Sequence, residues 1–251
     1  VELLPTLDDV VRTADVLVSV VLPEAAEPLA QQCAKRQRFA TSNCLFIDAN
    51  SIDLNTLSSI HGIVEGSGIR FVDAAIHGTA ARLGEMGVMY VSGVHASEAE
   101  PLLGRAMRVL PLGDQVGQAS RMKLLMASQS KCLNLLFLQI AVFADHAGML
   151  EQFLAEARTF YPEVMVAIER MLPTYPQHAA RRVTELQSIE RFAQSVDAPH
   201  EIIGAAREFL QAVAGEWNGK LRPTRPCDIS TIIRQAAAAA PPKPEEYVYE
   251  F

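Results

Sequence analysis

The hydrophobic pattern changes period once along the chain, and that change divides it. From Val1 to about Leu112 short apolar runs alternate with amphipathic stretches, the pattern of strands and helices layered in an α/β sheet. From about Gly117 onward every long segment repeats at helical period. The first half predicts strands at 16–22, 44–48, 70–75, 88–91 and 108–112, with helices at 24–36, 54–66 and 97–107 between them. The run 16–22 is rich in β-branched residues and does not alternate, so it reads as a strand buried on both faces that ends at Pro23. The second half predicts helices at 119–148, 151–160, 162–171, 178–195 and 200–214, with Pro162, Pro173, Pro176 and Pro199 at the breaks. The pattern therefore predicts an α/β domain over 1–115 followed by an all-α domain over 116–220. A tail follows over 221–251, where Ala, Pro and charged residues offer little to bury.

Charge and cysteine usage narrow the functional classes. With 22 basic against 29 acidic residues the formal net charge is −7, which leaves no electrostatic footprint for a nucleic-acid backbone. The longest apolar run that matters, 16–22, is broken by Ser19 and is far short of the roughly 20 residues of a membrane-spanning helix, so no membrane partner is expected. Cys33, Cys44, Cys132 and Cys227 lie far apart with no Cys-x-x-Cys, which suggests reduced thiols in a cytoplasmic protein and no zinc site. No basic-then-apolar leader opens the chain, and its first residue is Val1, as in a segment of a longer protein.

In parallel sheets ligands bind beyond the carboxyl ends of the strands, which marks the turns at Pro23, at 48–51 and at 73–79 as the site rim. Along the helix that opens the second half, Ala127, Ser130, Asn134 and Ala141 fall within about 40° of Lys123 at 100° per residue. One narrow stripe of a lysine, two hydrogen-bonding side chains and two small gaps runs through an otherwise leucine-rich helix. Lys123 reads either as a general acid or base made reactive by partial desolvation, or as a lysine snorkelling to solvent near the helix start. Ser130 and Asn134 face a ligand or bond a neighbouring helix. In the loop around His77-Gly78-Thr79 an imidazole, a glycine and a hydroxyl follow a strand end, suited to a small carboxylate or to a structural histidine. Residues 48–51 are either part of the site or a cap for the next helix. His178 and Arg182 share a helix face with Arg181 one position away, on a binding surface or a solvated face.

Five segments in this order and spacing resemble the NAD(P)-dependent β-hydroxyacid dehydrogenases and phosphogluconate-dehydrogenase-like proteins: 14–19 (ADVLVS), 46–51 (FIDANS), 70–75 with 88–93 (RFVDAA, VMYVSG), 119–124 (ASRMKL) and 178–182 (HAARR). The likeness runs from about Val1 to Ala214 and is closest to the branch whose helical domain has no assigned substrate. It implies that Lys123 is the catalytic lysine, passing a proton to or from a substrate oxygen while hydride moves at the adjoining carbon. It also implies NAD or NADP as cofactor, with Val21, Leu22, Pro23, Asn50 and Ser51 facing the nicotinamide ribose. His77, Gly78 and Thr79 then lie where a small-molecule carboxylate substrate binds, with Ser130, Asn134, His178 and Arg181 as further substrate contacts. The helical domain is implied to form a homodimer.

Three departures from that pattern stand out. The resemblance implies that residues 1–115 are a Rossmann-like domain incomplete at its start, since the first βαβ unit with its Gly-x-Gly-x-x-Gly turn is absent from these 251 residues. His77-Gly78-Thr79 replaces the usual Ser-Gly-Gly, and Met126 stands where an asparagine often follows the lysine by three residues. The expectation is a hydroxy/keto-acid oxidoreductase with a substrate outside the common short hydroxyacids. The alternatives are an imine reductase, and a non-catalytic dimeric scaffold descended from such an enzyme.

Overall fold

The computed structural model describes residues 2–36, 44–78, 83–217 and 228–239. The chain divides into two compact units, Val1–Leu125 and Met126–Phe251. The division falls ten residues beyond the expected one at 115, because the start of the long helix is fastened to the sheet, as described below.

The first unit runs α1 (Leu7–Thr13), β1 (Val16–Ser19), α2 (Pro23–Ala34), β2 (Leu45–Asp48), α3 (Leu54–Glu65), β3 (Arg70–His77), α4 (Leu83–Met86), β4 (Val88–Ser92), α5 (Ala96–Leu103) and β5 (Arg108–Pro111), then the start of α6 (Gln118–His146). Local chemistry sets these boundaries. Thr6 caps α1 by accepting from the Asp9 N–H, and Asp53 caps α3 by accepting from the Asn55 and Thr56 N–H groups. The α3 cap is thus Asp53, and residues 48–51 remain available to the strand-end rim. Pro23 opens α2 with its φ already helical.

The five strands lie in sequence order, every neighbouring pair parallel except β3 and β4. On one face Leu17, Phe46 and Phe71 pack against Ala26, Ala30 and Cys33 of α2 and Leu57, Ile60 and Val64 of α3. On the other, Ile47, Val72, Met89 and Val91 pack against Ala96 and Ala99 of α5. Burial of these apolar side chains is the main stabilising term of the unit, at roughly 1.5–3 kcal/mol for each large one.

Two strand expectations are corrected. The run 16–22 is not a strand buried on both faces: β1 stops at Ser19, Val18 is 38% exposed, and Val20 and Leu22 are 63% and 68% exposed. β1 is an edge strand, and on its α5-side face Val16 is partly buried against the core while Val18 is exposed. β3 extends two residues further than expected, because antiparallel pairing with β4 carries its ladder to His77, opposite Val88.

The second unit takes the rest of α6 with α7 (Leu150–Phe160), α8 (Pro162–Met171), a 3₁₀ turn (Leu172–Thr174), α9 (Tyr175–Ser195), α10 (Glu201–Trp217) and α11 (Ile229–Ala239). Leu135, Leu138, Leu154, Ile168, Leu172, Tyr175 and Leu186 are its fully buried large side chains. Part of the expected tail is structured. Ile229, Ile232, Ile233 and Ala236 recur at i, i+3, i+4 and i+7, and this apolar stripe is buried as α11 packs against α10 and the 3₁₀ turn. Arg234 pairs with Glu151 at 2.6 Å, and Ala237 O lies 3.2 Å from His146 Nε2.

α6 is the one described helix long and apolar enough to cross a membrane by length and composition, with a mean hydropathy of 1.2 over 18 residues. Lys131, Asn134 and Gln139 interrupt its leucines, so it contains no long unbroken apolar run. Its exposed large apolar residues, Leu125, Leu133, Leu136, Ile140 and Phe143, lie within about 80° of one another, on a single side.

Candidate active site

Parallel and antiparallel register bring four polar residues into one line across the sheet: Ser19 opposite Asp48, Asp48 opposite Asp73, and Asp73 opposite Ser92. All four side chains are buried, on the face covered by α2 and α3 and at the carboxyl ends of β1 and β2. Buried polar groups persist only when hydrogen-bonded, and here the bonds fasten the two segments that carry the candidate chemistry.

The first half of the line fixes the turns after β1 and β2. Asn50 Nδ2 donates to Ser19 Oγ (2.8 Å) and to Asp48 Oδ2 (3.1 Å), the Asn50 N–H donates to Asp48 Oδ1 (3.0 Å), and Asn50 Oδ1 accepts from the Val21 N–H (2.7 Å). One side chain therefore joins both turns and leaves Val20, Val21 and Leu22 facing outward. Burial raises the Asp48 carboxyl above its ordinary pKa, the bonds from Asn50 oppose that rise, and the nearby Asp73 adds to it. The folded protein therefore holds this proton more tightly than the unfolded chain. The associated stability is full below the ordinary carboxyl pKa and is lost as pH rises through the raised value. Asp48→Asn should flatten the pH dependence of stability above pH 4, measured by urea unfolding at pH 4 and pH 7; an unchanged slope would contradict this.

The second half of the line seats α6. Asp73 Oδ2 accepts from Ser92 Oγ (2.8 Å), the Gly117 N–H (3.0 Å) and the Ser120 N–H (3.2 Å), while Oδ1 accepts from Ser120 Oγ (2.7 Å). Ser92 Oγ in turn accepts from the Ala119 N–H at 3.0 Å. Helix N-termini present unsatisfied N–H groups and partial positive charge, and a fully buried carboxylate answers both. Lys123 stands three residues after Ser120. Helical side chains lean toward the N-terminus, and Lys123 Nζ donates to Ser51 Oγ at 2.8 Å. The structure thus brings together Lys123, Ser51, Asn50 and the Val21 turn.

His77 is the last residue of β3, not part of a loop, with its ring centroid 6.3 Å from that of Tyr90. It lies four residues beyond Asp73 on the same face, roughly 13 Å along the strand. Gly78 follows at φ +139°, in the left-handed half of conformational space, and a Cβ there would stand 3.1 Å from Gly87 Cα, so this close approach requires glycine. Thr79 lies outside the described residues, as does Cys227.

In the second unit Asn134 is buried, and its Nδ2 donates to Ser130 O one turn earlier, leaving Oδ1 without a donor among the described residues. His178 has non-helical angles (φ −122°, ψ 17°), so α9 kinks there and the expected shared face with Arg182 does not hold across the kink. Arg182 is the buried member of the segment, its guanidinium 3.9 Å from the Tyr175 ring centroid and donating to Thr174 O (2.8 Å) and Thr174 Oγ1 (2.7 Å). Arg181 is exposed and pairs with Glu185 at 3.3 Å. Burial and the two neighbouring arginines hold the His178 pKa below its ordinary value. Cys33 and Cys44 are buried free thiols, Cys33 pushed up to about 11 by burial, which keeps it unreactive.

Sequence reasoning missed Ser92, Ser120 and the anchoring role of Asp73. The available signal was a carboxylate inside an apolar strand and a Gly-x-x-Ser at the entry to a long helix.

A Rossmann-like sheet with one antiparallel step, followed by helices, is the fold of the 3-hydroxyacid dehydrogenases. The chain superimposes on 3-hydroxyisobutyrate dehydrogenase from Mycobacterium tuberculosis with a TM-score of 0.69 at 17% identity, covering 92% of this chain and 82% of that one. An imine reductase from Myxococcus stipitatus in complex with NADP+ matches with a TM-score of 0.52 at 16% identity, over 92% and 83% of the two chains. A conserved hypothetical protein from Sinorhizobium meliloti 1021 matches at 25% identity with a TM-score of 0.72, over 93% and 78%. In sequence, an uncharacterized 28.5 kDa protein of Methanothermus fervidus is 26% identical over 192 residues, 74% of this chain and 71% of that protein. Residues 144–213 match the family described as Domain of unknown function (DUF1932). The chain thus has the fold of the 3-hydroxyisobutyrate dehydrogenase-like NAD(P) proteins and carries a DUF1932 segment in its helical unit.

The residues present fit one end of a nicotinamide dinucleotide. The exposed apolar turn Val20–Leu22 beside the Ser51 hydroxyl suits a nicotinamide ribose, while the 251 residues contain no Gly-x-Gly-x-x-Gly turn for the pyrophosphate.

Proposed function

We propose that the protein is an NAD(P)-dependent oxidoreductase acting on a small carboxylate-bearing hydroxy or keto acid, or on a related imine. The observation that carries this reading is the 2.8 Å contact between Lys123 Nζ and Ser51 Oγ at the strand ends, beside the turn that Asn50 pins. A bound nicotinamide supplies or accepts the hydride. Lys123 holds or delivers the proton at the substrate oxygen or nitrogen, and Ser51 orients its ammonium group. Val21, Leu22, Pro23, Asn50 and Ser51 line the nicotinamide ribose. His77, Gly78 and Thr79 receive the substrate carboxylate, and Ser130, Asn134, His178 and Arg181 are further substrate contacts. With His77-Gly78-Thr79 and Met126 in place of the more usual residues, the substrate differs from the common short hydroxyacids.

The test is a panel of 3-hydroxyacids with NAD+ and NADP+, and of cyclic imines with NADH and NADPH, followed at 340 nm in the complete natural protein. Turnover of either panel supports the reading and separates hydroxyacid from imine chemistry. Turnover of neither, by protein that is folded, favours a non-catalytic scaffold.

The helical unit forms a homodimer in this reading, supported by the exposed stripe Leu133, Leu136, Ile140 and Phe143, since an unburied apolar helix face marks an interaction surface. Leu136→Glu with Phe143→Glu should convert the dimer to monomer in sedimentation equilibrium. A wild-type monomer, or a doubly substituted dimer, would overturn it.

A further inference from the structure

A cavity in the first unit, about 560 Å³, lies between α3, the start of β3, the loop after β4 and the entry to α6. Its size is that of small-ligand pockets. Leu57, Phe71 and Val116 give it an apolar lining, and Val94, 72% exposed, stands at its rim. Most of its charged groups are already paired: Arg70 and His95 both engage Glu98, and His61 lies 3.4 Å from Glu65. Two are not. The Asp114 carboxylate and the Arg121 guanidinium both line the cavity, and neither has a hydrogen bond or ion pair among the described residues.

Arg121 is exposed, and its place in the helix does not favour its charge. It sits in the first turn of the 29-residue α6, where the helix dipole opposes a cation. Its guanidinium folds back over Gly117, 3.6–3.8 Å from where a Cβ would stand, and Gly117 has φ +97°. An anion beside it offsets the charge, yet Asp114 repels a bare anion. A ligand bearing an ammonium next to a carboxylate answers both groups at once, and an apolar side chain fills the space over Phe71 and Val116. We propose that this cavity binds a small zwitterion, an α-amino acid with an apolar side chain, through Arg121 and Asp114. The site is separate from the proton-transfer pair, since Lys123 lies about 200° around the helix from Arg121.

Calorimetric titration of L-leucine and L-phenylalanine into the wild-type protein tests this, with 4-methylpentanoate and 3-methylbutylamine as analogues that keep one charge each. Saturable binding of an amino acid is expected, with both analogues about tenfold weaker or worse. Arg121→Gln and Asp114→Asn should each weaken amino-acid binding by about tenfold or more, and Asp114→Asn should narrow the gap between leucine and 4-methylpentanoate. Both residues are exposed, so the variants keep the wild-type circular dichroism and melting temperature, and Lys123→Ala keeps amino-acid affinity. No saturable binding, binding unchanged in both cavity variants, binding lost in Lys123→Ala alone, or equal affinity for 4-methylpentanoate would each overturn the proposal. None of these readouts depends on oxidoreductase turnover, so this proposal and the proposed function fail separately.

Discussion

Lys123→Ala should lower turnover by roughly 10² or more, the usual contribution of a positioned proton-transfer group. The loss should fall on kcat, with cofactor affinity little changed, because the lysine acts on the reacting atom. Lys123→Arg should not rescue it, since guanidinium does not give up its proton near neutral pH. The pH–rate profile of either variant should lose the limb that reports the lysine. Ser51→Ala should cost less, because it removes the hydrogen bond that orients Nζ and leaves the amine. Steady-state kinetics on the substrate found in the panel checks all of this, and unchanged turnover in Lys123→Ala would remove that residue from the chemistry.

Asp73→Ala should be among the most destabilising single changes in the first unit, at about 3–5 kcal/mol. It deprives two helix N–H groups and two serine hydroxyls of one buried carboxylate, and each buried donor left unsatisfied costs about 1–3 kcal/mol. Set against a typical total stability of about 5–15 kcal/mol, that is a large share. Asp73→Asn, which keeps an acceptor oxygen, should lose about half as much. Urea unfolding gives the magnitudes, and hydrogen exchange should show the Gly117 and Ser120 amides losing protection first. A loss below about 1 kcal/mol for Asp73→Ala, the scale of an ordinary surface change, would contradict the anchoring role.

The contrast between Lys123 and Asp73 shows what local pattern reveals. Lys123 was legible because a lysine in a leucine-rich helix breaks the apolar period, and Asn50 and Ser51 because they follow an apolar run ending in Asp48. The partnership between Asp73 and Gly117 spans 44 positions and depends on sheet register, which no local period encodes. The same limit applies to β1. The run 16–22 has the composition of a strand buried on both faces, but the edge position of β1 leaves Val18 exposed and Val20 lies in the turn beyond the strand. The antiparallel step at β4 carried β3 through His77, turning an expected loop residue into a strand residue. At 229–239 the apolar stripe was present in the sequence and was outweighed by the Ala-Pro segment that follows. The kink at His178 follows Pro176 by two residues, and helical spacing counted from His178 therefore placed Arg182 on the wrong surface.

The most direct test of the central claim is titration of NADH and NADPH into the complete natural protein, followed by nicotinamide fluorescence, in wild type and in Val21→Asp. Saturable binding of one or both cofactors, weakened by a charge at the turn that Asn50 pins, is the predicted result. Folded protein that binds neither, or binds equally well with aspartate at position 21, would contradict it.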